Sequence, residues 1–135
     1  MIAKGTYAVK KWEEAPYEQI SPEMKMTKAS VEYTMTGEIS GRSAMEYLMF
    51  YKYFDVKDPH KSSAVYIGLM RFVGTVKGRE GSFVIEDHGT FEGGSAKSAL
   101  EIVADSGTGN LKGIRGSGRY LADQKRNEIE LNYDV

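Results

Sequence analysis

Five of the chain's 15 glycines fall in one segment, Ser106-Gly-Thr-Gly-Asn-Leu-Lys-Gly-Ile-Arg-Gly-Ser-Gly-Arg-Tyr120. A phosphate-binding glycine loop needs a buried strand before it and a helix after it, so that backbone N–H groups converge on the phosphate. No helical periodicity follows Gly118, and neither Gly-Lys-Ser nor Gly-Lys-Thr occurs anywhere in the chain. The segment therefore predicts a connection between two strands, in which glycine supplies positive φ and close packing.

The rest of the chain has the pattern of an all-β protein. Nine tyrosines, only three prolines and mostly alternating apolar residues favour strands over helices. Gly41-Arg42, Gly78-Arg79 and Gly93-Gly94 each separate two alternating runs, and each is predicted to close a two-residue hairpin. We predict eight strands, at Ala3–Trp12, Thr27–Ser40, Arg42–Phe54, Ser63–Val76, Gly81–Glu92, Ser95–Ala104, Gly116–Ala122 and Asn127–Asp134.

Two longer connections separate some of these strands. Glu13–Glu23 contains two prolines and no consistent period, so it is predicted to be a loop over one end of the sheet. Asp55–Ser62 is polar, which makes His60 a loop residue. Eight successive antiparallel strands predict an up-and-down β-barrel, closed on itself without edges, as a single domain over residues 1–135.

Composition excludes several classes of function. The 18 basic residues and 19 acidic residues leave a net charge of −1, which disfavours nucleic acid as a partner. The absence of cysteine excludes thiolate catalysis and sulfur-ligated zinc, and the two histidines have no acidic neighbours at metal-ligand spacing. We therefore expect no metal and no cofactor. No signal peptide and no apolar stretch of roughly 20 residues is found, so we expect a cytoplasmic protein that does not engage the membrane.

Several motifs resemble a bacterial family of uncharacterised proteins, domain of unknown function 3224, over nearly the whole chain. They are Thr6–Trp12, Gly37–Gly41, Glu46–Met49, Gly68–Arg71, Gly81–Val84, Gly89–Phe91, Ser106–Gly109 and Gly113–Gly116. The late glycine segment also resembles that of allene oxide cyclases and plant dirigent proteins. These resemblances imply an eight-stranded, lipocalin-like barrel that is often oligomeric and has a pocket at its mouth. The uncharacterised family brings no established catalytic residues that could be assigned to this chain.

A few charged residues lie on otherwise apolar strand faces and are the candidates for chemistry. Two-residue hairpins would place Glu46 on a face with Val31, Tyr33 and Met35, and Arg71 opposite Glu86, with His88 on the same face. Buried charges must be paired. One interpretation is a polar cluster of these four candidate residues inside the barrel, in which Arg71 holds a carboxylate or enolate oxygen and His88 or a glutamate moves protons.

The same residues allow a structural interpretation. Arg71 can form a static ion pair with a glutamate while His88 lies at the surface. Phe83, Ile85, Phe91, Leu100 and Ile102 form a cleaner apolar face, which would turn Glu86 and His88 outward, and a slip of one residue exchanges the two faces. Trp12 either floors a pocket or plugs the core.

Two functions remain open from the sequence. The first is a barrel that binds a small, largely apolar molecule, with isomerase or cyclase activity as an extension. The second is a non-enzymatic oligomeric or protein-interaction module, since both faces of Arg42–Phe54 and Ser63–Val76 are rich in apolar groups. One of those faces is predicted to meet another copy, and a homodimer is favoured.

Overall fold

Nine antiparallel strands make up nearly all of the regular structure in the computed structural model, which describes all of residues 1–135. They are β1 (Ile2–Gln19), β2 (Lys25–Gly37), β3 (Ile39–Tyr53), β4 (Ser63–Val76), β5 (Arg79–Glu92), β6 (Ser95–Ile102), β7 (Thr108–Gly109), β8 (Arg115–Ala122) and β9 (Asn127–Asp134). One turn of 3-10 helix, Pro59–Lys61, lies between β3 and β4. No helix has the length and apolar character needed to cross a membrane.

Eight of the nine strands form a closed ring of hydrogen-bonded neighbours. The order is β1-β2-β3-β4-β5-β6-β8-β9, and β9 pairs in turn with β1. The two-residue β7 lies outside this ring and pairs with the start of β5, where Thr108 opposes Ser82. Each strand of the ring therefore has a hydrogen-bonded partner on both sides over at least part of its length.

The core fills the interior of this ring, because alternate residues of each strand point inward. On β3 the inward residues Met45, Tyr47 and Met49 are buried, whereas Glu46 and Leu48 between them are exposed. In all, 25 buried hydrophobic residues form one continuous cluster. The sequence prediction of an all-β antiparallel protein is thus confirmed.

The glycine-rich segment connects β6 to β8, as predicted. Gly109, Gly113 and Gly116 have positive φ values of 62°, 87° and 144°. Between them, Leu111 and Ile114 are fully buried and pack into the core. The segment therefore folds the chain across one end of the ring while anchoring two apolar side chains inside it.

The predicted loop at Glu13–Glu23 is wrong, since β1 continues to Gln19. The strand β9 accompanies β1 only as far as Thr6, so the rest of β1 has one free edge. Pro16 lacks a backbone N–H, and it is tolerated here at an edge with a register shift between Pro16 and Glu18. The β1–β2 hairpin consequently turns later than predicted, at Ile20–Met24.

Two hairpin turns lie elsewhere than predicted. The β2–β3 turn is at Gly37–Ile39 rather than Gly41-Arg42, so Glu46 opposes Ser30 instead of Gly37. The β4–β5 turn is at Lys77-Gly78, and this moves the partner of Arg71 from Glu86 to Val84. The first shift changes which residues share a face with Glu46, while the second leaves the faces as predicted.

Candidate functional site

A largely apolar cavity of about 310 Å³ opens at one end of the ring. Alternation along β3 places Met49 and Tyr51 on the same inward face, and the β3–β4 connection adds Phe54 and His60 at the rim. The complete lining is Trp12, Tyr47, Met49, Tyr51, Phe54, Pro59, His60, Tyr66, Phe91, Ala96 and Tyr120. A volume of this size accommodates a small organic molecule.

Trp12 borders this cavity and does not plug the core. Its side chain remains 45% exposed, and its indole stacks on Tyr47 with ring centroids 6.4 Å apart. The sequence left open whether Trp12 lies at a pocket or in the core, and in the structure it lies at the pocket.

A cluster of hydroxyl groups forms the polar floor of the cavity. Tyr47 Oη lies 3.3 Å from Tyr33 Oη and 3.1 Å from Tyr120 Oη, and Tyr120 Oη lies 3.2 Å from Tyr66 Oη. Tyr66 Oη is also 2.7 Å from Ser98 Oγ. We call these five hydroxyls, together with the carboxyl of Asp87, the tyrosine cluster.

Asp87 is the only charged residue of the cluster, and it is 1% exposed. One of its oxygens accepts a hydrogen bond from Tyr47 at 3.2 Å, whereas Oδ1 has no hydrogen-bond partner. Burial raises the pKa of Asp87 to about 6, and the hydrogen bond from Tyr47 opposes only part of that effect. A carboxyl group thus lies behind the cavity floor with a pKa close to neutrality.

Burial also raises the pKa of the tyrosines. It takes the pKa of Tyr33 to about 12, and it raises the pKa of Tyr47 and Tyr120 further above the usual phenol value. These phenols are therefore neutral throughout the physiological range and act as hydrogen-bonding groups. Tyr7 packs edge-on against Tyr33 and Tyr120, but its buried hydroxyl has no hydrogen-bond partner.

A second polar group lies beside the cavity, at Glu14 on the extended part of β1. Its carboxylate accepts hydrogen bonds from Thr27 Oγ1 at 2.7 Å and Tyr51 Oη at 2.8 Å. It also accepts one from Trp12 Nε1 at 3.1 Å. Glu14 therefore holds two aromatic side chains of the cavity lining in place.

The charged residues that the sequence singled out lie on the outer face of the ring. Glu46 accepts a hydrogen bond from Ser30 at 2.6 Å on that face, and Arg71, Glu86 and His88 are all exposed. No ion pair joins any of the four. A polar cluster of these residues inside the ring is thus contradicted, because the apolar face of Phe83 is the inward one, as the alternative interpretation predicted.

Asp87 is the residue that sequence reasoning missed, although the signal was present. Asp87 lies on the same strand face as Phe83, Ile85 and Phe91. It is therefore a lone charge on the most consistently apolar face of the chain. Its neighbours Glu86 and His88, which the sequence predicts as site residues, lie on the opposite face. On β5 it is therefore the inward-facing charge, Asp87, that indicates the candidate site.

A second, broad groove of about 1320 Å³ includes the outward-facing residues His88, Lys97 and Arg119. Its charged residues are exposed, and Arg119 pairs with Glu130 at 3.4 Å. Exposed ion pairs of this kind contribute little energy. The lining of this groove also includes Tyr66, Ser98 and Tyr120 of the tyrosine cluster, but only seven of its 21 lining residues are hydrophobic, so it is a more polar site than the inner cavity.

Fold and cavity together define a class of protein: an antiparallel all-β ring that encloses an apolar cavity above a buried tyrosine cluster. The family profile described as "Protein of unknown function (DUF3224)" matches residues 3–133. The chain therefore belongs to the DUF3224 family, and the family predicted from the sequence motifs is confirmed.

A solved structure shows the same fold. It is a protein of unknown function from the DUF3224 family of Shewanella oneidensis MR-1, with a TM-score of 0.74 and 24% sequence identity. The match covers 100% of this chain and 96% of that one. None of the curated proteins matches the chain.

Proposed function

We propose that the protein binds a small, largely apolar molecule inside the ring, as a β-barrel of the kind that the resemblance to allene oxide cyclases implies. The observation that carries this proposal is the cavity of about 310 Å³, in which nine of the 11 lining residues are hydrophobic. Apolar pockets with a few convergent polar groups are the usual form of small-molecule sites. Here the convergent groups are the hydroxyls of Tyr47, Tyr66 and Tyr120.

Isomerase or cyclase activity is an extension of this proposal and depends on groups that border the cavity. Glu46, Arg71 and His88 point away from it, so the phenols and His60 are the groups available to a bound molecule. A phenol oxygen can accept a hydrogen bond from a bound molecule and so hold it in one orientation. Ligand binding itself requires no such chemistry and is the function to test first.

The test uses Ala96, a small residue of the cavity lining. Its replacement in Ala96→Phe fills the cavity, and Ala99→Phe on the same strand is the matched control because Ala99 is exposed on the outer face. We expect p-menthane, an apolar ring of suitable size, to raise the Tm of the wild type and of Ala99→Phe. It leaves the Tm of Ala96→Phe unchanged. An equal shift in all three proteins, or no shift in any, contradicts binding in the cavity.

A second candidate function is self-association through the outer face of β3 and β4. Leu48, Ile67 and Leu69 are each about half exposed there, at 47%, 51% and 55%, and Leu48 lies directly opposite Ile67. Contiguous apolar side chains on a surface are typical of interaction sites. The same face carries both Glu46 and Arg71, so two copies related by a two-fold axis can place opposite charges against each other.

This dimer is tested by sedimentation. We expect the wild type to sediment as a dimer at micromolar concentration and Ile67→Lys to sediment as a monomer with unchanged circular dichroism. Val56→Lys is the control, since Val56 is 78% exposed in the β3–β4 connection and away from this face. A monomeric wild type contradicts the self-association proposal.

A further inference from the structure

The directions of the hydrogen bonds in the tyrosine cluster follow from its single carboxylate. An ionised carboxylate only accepts hydrogen bonds, so Tyr47 must use its one hydroxyl hydrogen to donate to Asp87. In its contacts with Tyr33 and Tyr120, the oxygen of Tyr47 can then only accept. Tyr33 and Tyr120 are therefore the donors to Tyr47.

The same argument continues outward from Tyr120. Because the hydrogen of Tyr120 is used on Tyr47, Tyr66 must donate in its contact with Tyr120 at 3.2 Å. Ser98 must in turn donate to Tyr66 at 2.7 Å. Five hydroxyl hydrogens thus serve five contacts, and every one is directed toward Asp87.

The other polar groups near the cavity add no free buried donor to its floor. The indole N–H of Trp12 is used on Glu14, and the hydroxyl of Tyr51 is used on the same carboxylate. Tyr7 Oη has no partner, but Tyr7 is not part of the cavity lining. His60 is exposed at the rim. The floor therefore presents phenol oxygens with free lone pairs and no free hydrogen.

We propose that the cavity selects an apolar molecule bearing a hydroxyl group, which donates a hydrogen bond to the phenol oxygens of the floor, over the matched ketone. This proposal rests on the proposed ligand-binding function and adds the chemical class of the ligand. A carbonyl oxygen would meet acceptor oxygens and lose its hydrogen bonds to water without replacement. An alcohol or phenol keeps its donor satisfied on entering the cavity.

The ionisation of Asp87 fixes the direction of the chain under ordinary conditions. Burial raises the pKa of Asp87 to about 6, which leaves most of the carboxyl ionised at pH 7.5. The unpartnered Oδ1 adds a further acceptor and no donor. The decisive test is therefore a variant that removes the charge of Asp87 and keeps the shape of its side chain.

The experiment compares menthol, menthone and p-menthane, which share one carbon skeleton and differ in one oxygen function. Trp12 is the only tryptophan and borders the cavity, so its fluorescence reports the binding of all three at pH 7.5. We expect menthol to bind about fivefold more tightly than menthone, which is the value of roughly one net hydrogen bond. Menthone binding as tightly as menthol overturns the proposal, whereas no binding of any of the three, p-menthane included, overturns the proposed function.

Two variants test whether the cluster sets this preference. In Asp87→Asn the amide can donate to Tyr47, so the chain loses its fixed direction, and we expect the menthol-to-menthone affinity ratio to fall close to one. Glu86→Gln, one residue away on the outer face, keeps the wild-type ratio. An unchanged ratio in Asp87→Asn overturns the proposal.

Should Asp87→Asn fail to fold, Tyr47→Phe serves the same purpose. This change disconnects the other phenols from Asp87 and frees the hydrogen of Tyr120 for a ligand. We expect the preference for menthol to disappear in Tyr47→Phe and to persist in Tyr133→Phe, a buried tyrosine outside the cavity lining. Persistence of the preference in Tyr47→Phe contradicts the proposal.

Discussion

The hydroxyl of Tyr47 donates a hydrogen bond to the buried carboxylate of Asp87 at 3.2 Å, and this contact links the cavity lining to a charge in the core. A buried carboxylate normally has two or more donors. Here Tyr47 is the only hydrogen-bond donor within the protein, because the second oxygen of Asp87 has none. Keeping Asp87 ionised is consequently costly in free energy, so the stability of the folded protein depends on pH.

Asp87 is expected to make the protein less stable as pH rises from about 4 to 6. The folded state holds the proton of Asp87 up to a pKa of about 6, while the unfolded state releases it near the ordinary value of 3.8. Raising the pH between these values therefore favours unfolding, by roughly 3 kcal/mol in total. Asp87→Asn removes this contribution, so its stability relative to the wild type should increase with pH. Urea denaturation at a series of pH values from 4 to 8 measures the difference.

Glu86→Gln is the matched control for this pH dependence. Glu86 is the preceding residue on the same strand, but it is exposed on the outer face. We expect its pH profile to run parallel to that of the wild type. A profile of Asp87→Asn that is equally parallel would show that Asp87 contributes nothing to the pH dependence.

Loss of the Tyr47 hydroxyl should destabilise the protein at neutral pH. Tyr47→Phe leaves the Asp87 carboxylate without a donor and removes the acceptor of Tyr33 and Tyr120. The expected cost at pH 7.5 is about 1–3 kcal/mol, the usual penalty for an unsatisfied buried polar group. The penalty should shrink at pH 5, where Asp87 is mostly neutral. Tyr133→Phe, measured by the same urea denaturation, should cost less, and equal losses in the two variants would contradict this role of Tyr47.

Turn position decided how much of the fold could be predicted from the sequence. Gly93-Gly94 is the only turn signal between β5 and β6, and the predicted two-residue hairpin at this site is confirmed, with Glu92 opposite Ser95. The two strands predicted at Gly116–Ala122 and Asn127–Asp134 are also found to pair with each other, and Asp123 fixes the loop between them by accepting hydrogen bonds from two backbone N–H groups. Where the sequence between two strands contains a single turn signal, the register of those strands can be predicted from it.

The predicted position of the β2–β3 turn was wrong because two glycines, Gly37 and Gly41, lie close enough together for either to form it. Gly37 has φ of 111° at the turn, whereas Gly41 has φ of 150° within β3, where a Cβ atom would collide with the backbone of Val73. Gly41 is thus required for close strand packing and not for chain reversal. An odd shift of register exchanges faces, so the sequence could not assign Glu46 to the correct neighbours.

The candidate site was less predictable than the fold, because it depends on contacts between distant strands. The cluster joins Tyr47 of β3, Tyr66 of β4, Asp87 of β5 and Tyr120 of β8. Only closure of the ring brings these four elements together. The alternation along each strand could indicate which residues point inward, but not which of them meet.

Two glycines of the glycine-rich segment, Gly113 before β8 and Gly116 within it, should differ in their tolerance of alanine. A Cβ atom on Gly116 would collide with the carbonyl oxygen of Asn132, and its φ of 144° is also unfavourable for other residues. Gly113 has a φ of 87°, but a Cβ atom there would meet nothing within 4 Å. Gly113→Ala therefore carries only the backbone cost of about 1 kcal/mol, and Gly116→Ala should cost at least twice as much. Thermal denaturation of the two variants tests this, and equal losses would show that the close approach to Asn132 is unimportant.

Glu14 should control both the stability of the hairpin and the position of Trp12. Glu14→Ala leaves Thr27, which is 1% exposed, and Tyr51 without their common acceptor. We expect a loss of about 1–3 kcal/mol in urea denaturation. Release of the indole N–H should also expose Trp12 further and move its fluorescence maximum to longer wavelength. Glu13→Ala is the control, because the exposed Glu13 pairs only with the exposed Lys11 at 3.2 Å, and such pairs are worth little. If Glu13→Ala moves the emission as far as Glu14→Ala, the three hydrogen bonds to Glu14 do not position Trp12.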